Sequence, residues 1–220
     1  MDKQLSSDHF EMYFSNNEFI SNDKNKILEF QEQCYSKVVN TLGYDPKICI
    51  RLVLFNSSIE FGISYDINTK PEDAKPKNAF CYLPNTIHAT YSVEVKAIGC
   101  HEVAHLLLEN MLRGFPAIQL DEGFAVFCDD YWDGLNLNDW VNKKSNKDQI
   151  GFYKEILATD EGFYKYGNDS YPIVGCYTQW LIRNKGIPFF INLANESLNN
   201  KQIHTKYIDD FITYLVNENK

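Results

Sequence analysis

The stretch GCHEVAHLLLENMLRGFP, residues 99 to 116, constrains this chain more than any other. It is an apolar run of helical length and reads as part of a buried core, with Gly114 and Pro116 as stop signals. Yet it carries His101, Glu102 and His105. Residues four apart on a helix lie one turn apart on the same face. His101 and His105 can therefore aim a ring nitrogen at one point, and Glu102 lies beside that point without facing it squarely. Any fold for this chain must bury the apolar part of the helix and still give these three groups something to do.

A zinc ion would use them. It needs ligands at about 2 Å in tetrahedral directions, and two imidazoles at i and i+4 supply two of them. Glu102 could then reach a metal-bound water as general base, the HExxH arrangement. A catalytic zinc is held by three protein ligands, and Glu122 is the leading candidate for the third. It stands seventeen residues after His105, past the Gly114–Pro116 turn, in the segment DEGFA. A helix restarting at Asp121 or Glu122 could run back antiparallel and present the carboxylate from its opening turn. Gly123 allows close backbone approach there.

HEVAH followed by DEGFA resembles the gluzincin metallopeptidases, whose pattern is HExxH, a loop, then Glu-Gly-hydrophobic-Ala. The specific part of the likeness is residues 101 to 125; the flanking match is a layout, similar to the compact peptidase MA-like catalytic domain. The resemblance implies one Zn2+ held by His101, His105 and Glu122. It implies hydrolysis of peptide bonds, with Glu102 moving the proton. It also implies a hydroxyl that stabilises the oxyanion of the tetrahedral intermediate. In YPIVGCYTQWL that role falls to Tyr171, with Tyr177 as the alternate. Asp129, Asp121 and Asp130 are candidates to receive the free N–H of the ligand histidines. His204 matches no motif and reads as a surface or core residue. The thermolysin-type branch has an aspartate four residues after the glutamate ligand; this sequence has Val126 there. The aminopeptidase branch has an upstream Gly-x-Met-Glu-Asn segment, and none occurs here, which tilts the reading toward endopeptidase cleavage.

Composition narrows the rest. The net charge is −9. A nucleic-acid binder needs clustered Lys and Arg to displace counterions, and the nearest run, NKKSNKDQ (142 to 149), reads as a solvated loop. Nucleic acid is therefore excluded as a partner, and a peptide or protein substrate is expected. Six cysteines are scattered singly without CxxC, which suggests reduced, buried thiols. The N-terminus has no apolar core after a basic start and no run approaches the length of a membrane span, so the chain reads as cytoplasmic, or as secreted if a leader has been removed.

Strand signals crowd the first half. HFEMYFS (9 to 15) alternates with aromatics, and KICIRLVLFNS (47 to 57) is a β-branched run suited to the middle of a sheet. IEFGISYDI (59 to 67) reads as a further strand or hairpin. NTKPEDAKPKN (68 to 78) is a surface loop, and AFCYLPNTI (79 to 87) a short strand that Pro84 sends to an edge. Between the first two, Ile27, Phe30, Cys34, Val38 and Leu42 recur at helical spacing up to Gly43. Thr90 or Ser92 can cap the helix carrying His101. Everything after it reads as helix, including SYPIVGCYTQWLIRNKG (170 to 186). The expected fold is α+β and zincin-like, a single catalytic domain over residues 1 to 220. It has a small twisted mixed sheet with helices at about 8 to 113 and a helical lobe at about 114 to 220. Two rival readings survive: a catalytically idle zinc-bearing interaction protein on the same scaffold, and a zinc hydrolase of non-peptide substrates.

Overall fold

A computed structural model describes residues 2 to 15, 17 to 65, 70 to 132, 134 to 144 and 149 to 218. The chain divides into two compact units, Met1–Asn110 and Met111–Lys220. The fold is α+β, with the sheet in the N-terminal half and a helical C-terminal half.

The first unit is built on five strands: β1 (Asp2–Ser6), β2 (Phe10–Phe14), β3 (Ile50–Phe55), β4 (Ala79–Tyr82) and β5 (Thr86–Thr90). Their order is β1-β2-β3-β5-β4. The inner three run parallel, and the two outer strands are antiparallel to their neighbours. β3 is central because its side chains suit both faces: Ile50, Leu52, Val53, Leu54 and Phe55 are all buried. Parallel pairing of β2 with β3 demands a long crossover, and α1 (Glu18–Leu42) supplies it. The Asn17 side chain accepts the Ile20 N–H at its start, and Gly43 closes it in the left-handed region at φ 62°. The buried face of α1 carries Ile27, Leu28, Gln31, Cys34, Tyr35, Val38 and Leu42. Phe30, expected on that face, is 42% exposed, because the stripe is centred on the Leu28–Gln31–Tyr35 side.

Three expectations for this unit are corrected. Residues 59 to 65 of IEFGISYDI lie in a helix, α2 (Ser58–Tyr65), not a strand; residues 66 and 67 lie outside the described residues. Its start is fixed by a cap: the Ser57 hydroxyl accepts the Glu60 N–H, and the Glu60 carboxylate accepts the Asn56 N–H. AFCYLPNTI is a hairpin, β4 and β5, turning through a cis Leu83–Pro84 bond, although the edge position expected for it is observed. The helix α3 begins at His101 and ends at Leu112, about ten residues later than Thr90 or Ser92 would place it. Thr90 ends β5, and the Ser92 hydroxyl is spent on the Val95 N–H in a local turn. Arg113, not Gly114, takes the left-handed position after α3, at φ 55°.

The second unit contains α4 (Ile118–Asp129), a two-residue ribbon of β6 (Tyr131–Trp132) and β7 (Leu135–Asn136), α5 (Leu137–Lys144), α6 (Ile150–Ala158), α7 (Asp160–Tyr166), α8 (Ser170–Lys185), α9 (Ile187–Ser197) and α10 (Ile208–Glu218). α8 is its axis. From Pro172 to Leu181 every residue is buried, the signature of a helix surrounded by others. α4 crosses it at glycines. A Cβ on Gly123 would stand 2.3 Å from the Thr178 hydroxyl and 2.6 Å from the Val174 carbonyl, and one on Gly175 would stand 2.5 Å from Val126. The close approach that Gly123 permits is made to α8. Of NKKSNKDQ, residues 142 to 144 end α5, and residues 145 to 148 lie outside the described residues. Among the described residues no helix is long and apolar enough to cross a membrane.

Candidate metal centre

His101 is the first residue of α3 and His105 stands one turn further on. The Cys100 carbonyl accepts the Ala104 N–H, which anchors the opening turn. The Nε2 atoms of His101 and His105 are 3.2 Å apart, with ring planes at 78°. Two nitrogens bound tetrahedrally at about 2.0–2.1 Å to one zinc would be about 3.3 Å apart, so the pair fits. A direct N–H···N hydrogen bond would give a similar separation. What favours a metal is the third donor: His101, His105 and Glu122 each offer a ligand atom, all within 4.8 Å of one another. Two imidazoles and a carboxylate are the donor set of a catalytic zinc site. His105 is buried, while His101 and Glu122 are partly exposed.

Glu122 lies on α4, but the helix opens at Ile118 rather than at Asp121 or Glu122. The carboxylate therefore comes from the second turn, and the Ser197 hydroxyl accepts the Ala117 N–H at the helix start. Glu102 follows His101 directly on α3, where a carboxylate also complements the positive end of the helix dipole.

A second group of ligand atoms, from His105, Glu109 and Asp121, also lies within 4.8 Å. Asp121 is among the carboxylates the sequence offers as a partner for these histidines; Glu109 is an additional one. It is 5% exposed, and a carboxylate so deeply buried requires a partner. Its signal was in the sequence: four residues after His105, it continues the same helical face. Asp130 is exposed and fills the left-handed position after α4 at φ 58°. Asp129 is the last residue of α4 and half-buried.

The two tyrosines considered for the oxyanion have different surroundings. Tyr177 is fully buried, and its hydroxyl donates to the His204 carbonyl at 2.8 Å. Burial pushes its phenol far above the ordinary range. His204 is a core residue whose Nε2 lies 2.9 Å from the Leu157 carbonyl; burial holds its imidazole below the usual value. Tyr171, in the first turn of α8, stacks on Trp132 at 4.6 Å between centroids and meets Phe163 edge-on. A third tyrosine, Tyr164, lies on α7. Partial burial and then the negative charges of Glu122 and Asp160 raise its phenol pKa, so it senses the glutamate although it is 69% exposed.

An open cavity of about 630 Å³ in the second unit is lined by Trp132, Trp140, Phe152, Tyr153 and Asp169, among others. None of the candidate ligands lines it.

Compared with protein-family models and with curated proteins, the chain matches none.

Proposed function

We propose that this chain is a zinc-dependent peptidase that cleaves within peptide chains. The observation that carries the reading is the convergence of His101, His105 and Glu122 to within 4.8 Å. A zinc ion held there would supply Lewis acidity and bring the pKa of a water toward neutrality. Glu102, beside the pair, takes the proton as the water attacks the scissile carbonyl and passes it to the leaving amine. The Tyr171 hydroxyl donates to the developing oxyanion. Glu109 and Asp121, grouped with His105, hold that ring in orientation as carboxylate partners do. The outer edge of β4, the last strand of the sheet, offers main-chain groups to an extended peptide. That gives affinity with little side-chain preference.

The test is a peptide-library digest read by mass spectrometry, run with and without chelator and with Glu102→Gln. Cleavage at internal bonds that chelator abolishes and Glu102→Gln lacks is the expected result. Cleavage that survives both treatments overturns the proposal. One bound zinc without cleavage of any library favours the idle scaffold instead.

A further inference from the structure

Cys34 and Cys100 carry an observation that zinc does not need. Cys34 lies in the middle of α1 and Cys100 immediately before α3. Both side chains are buried, at 1% and 7% exposure. Their sulfur atoms are 2.7 Å apart. That is inside the contact distance of non-bonded sulfurs and approaches the covalent S–S length of about 2.04 Å. The two segments are held in this relation by a second contact: the Gln31 side-chain amide, one turn before Cys34, donates to the Gly99 carbonyl at 3.3 Å. The two contacts therefore join the same face of α1 to two adjacent residues, Gly99 and Cys100.

We infer that Cys34 and Cys100 are a disulfide-forming pair that, when oxidised, ties α1 to the residue preceding His101. The oxidant is a low-molecular-weight disulfide. A thiolate of the pair attacks it and forms a mixed disulfide, releasing one small thiol. The second cysteine then attacks the protein-side sulfur, forms the Cys34–Cys100 bond and releases the second small thiol. The two protons of the cysteine thiols end on the two small thiols, so two cysteines are oxidised and one small disulfide is reduced. Burial of both sulfurs directs this exchange to the folding chain or to a local opening of the segment before α3. Once made, the bond is shielded from reductant. It closes a loop that spans three strands and α2, removing freedom from the unfolded chain. The inference does not depend on the zinc reading and is tested without metal or substrate.

The full chain is refolded from urea in a buffer of reduced and oxidised glutathione, alkylated under denaturing conditions and digested with trypsin without reductant. The expected product joins the peptide of residues 27 to 37 to that of residues 97 to 113, lighter by two hydrogens than the separate thiol peptides. Cys49, which is exposed, reports that the oxidant acted by carrying glutathione. Cys34 and Cys100 both alkylated while Cys49 is glutathionylated would overturn the inference. So would Cys34 or Cys100 linked mainly to any of the other cysteines. As a second readout, the cross-linked protein melts higher than the same protein kept in reductant; equal melting would show that the bond constrains nothing.

Discussion

Glu102 is assigned a proton and not a place in the metal set, so Glu102→Gln keeps zinc while kcat falls by about 10²–10⁴-fold, the range of a lost general acid–base group. Metal analysis and steady-state kinetics on one preparation check both halves. Tyr171→Phe lowers kcat by about 10²–10³-fold, as expected for one oxyanion donor, with KM nearly unchanged; Tyr177→Phe does not reproduce this split, because its hydroxyl is committed to the His204 carbonyl. The grouping of His101, His105 and Glu122 was legible in the sequence because a four-residue step puts the two histidines on one helical face. Glu109 stands at the same four-residue step but belongs to no motif, so spacing alone marks it. The influence of Glu122 on Tyr164 was not legible. It depends on α7 coming beside α4, and no local pattern announces that.

Among elements, the close crossing of α4 on α8 positions the segment that carries Glu122. Gly123→Ala puts a methyl group into the Thr178 hydroxyl and the Val174 carbonyl. Overpacking of this kind costs about 1–3 kcal/mol, to be read as a lower urea midpoint with unchanged slope. Zinc affinity should fall with it, since the neighbouring carboxylate moves with the helix. Element types were read well wherever a segment was long and periodic, as for α1 and α8. They were misread where a run was short. Residues 58 to 65 are apolar enough for either structure, and the deciding signal was the polar cap Ser57-x-x-Glu60, a helix start that hydrophobic spacing does not register. The start of α3 failed in the opposite sense. Ser92 is a good cap by type, but its hydroxyl serves a local turn and the helix waits until the two histidines.

For the whole molecule, two histidines make stability depend on pH. Burial holds the imidazoles of His88 and His204 below their ordinary value. The unfolded chain then takes up protons first as pH falls. The stability these groups contribute is complete above the unfolded pKa of about 6.5 and is lost as pH drops toward their folded values. The urea midpoint should therefore fall between pH 7 and pH 5, and His88→Phe should flatten part of that slope. A midpoint that rises over the same interval would reverse the sign argued here. The α+β layout was legible because strand signals stop before the His101 helix, but the sheet order was not. Nothing in five short runs of residues says that β5 lies between β3 and β4. The central claim is that His101, His105 and Glu122 bind one cation together, and zinc titration of the metal-free protein by calorimetry tests it most directly. The account predicts one zinc per chain, with His105→Ala and Glu122→Ala each abolishing tight binding in protein that remains folded; full-strength binding in both variants would contradict it.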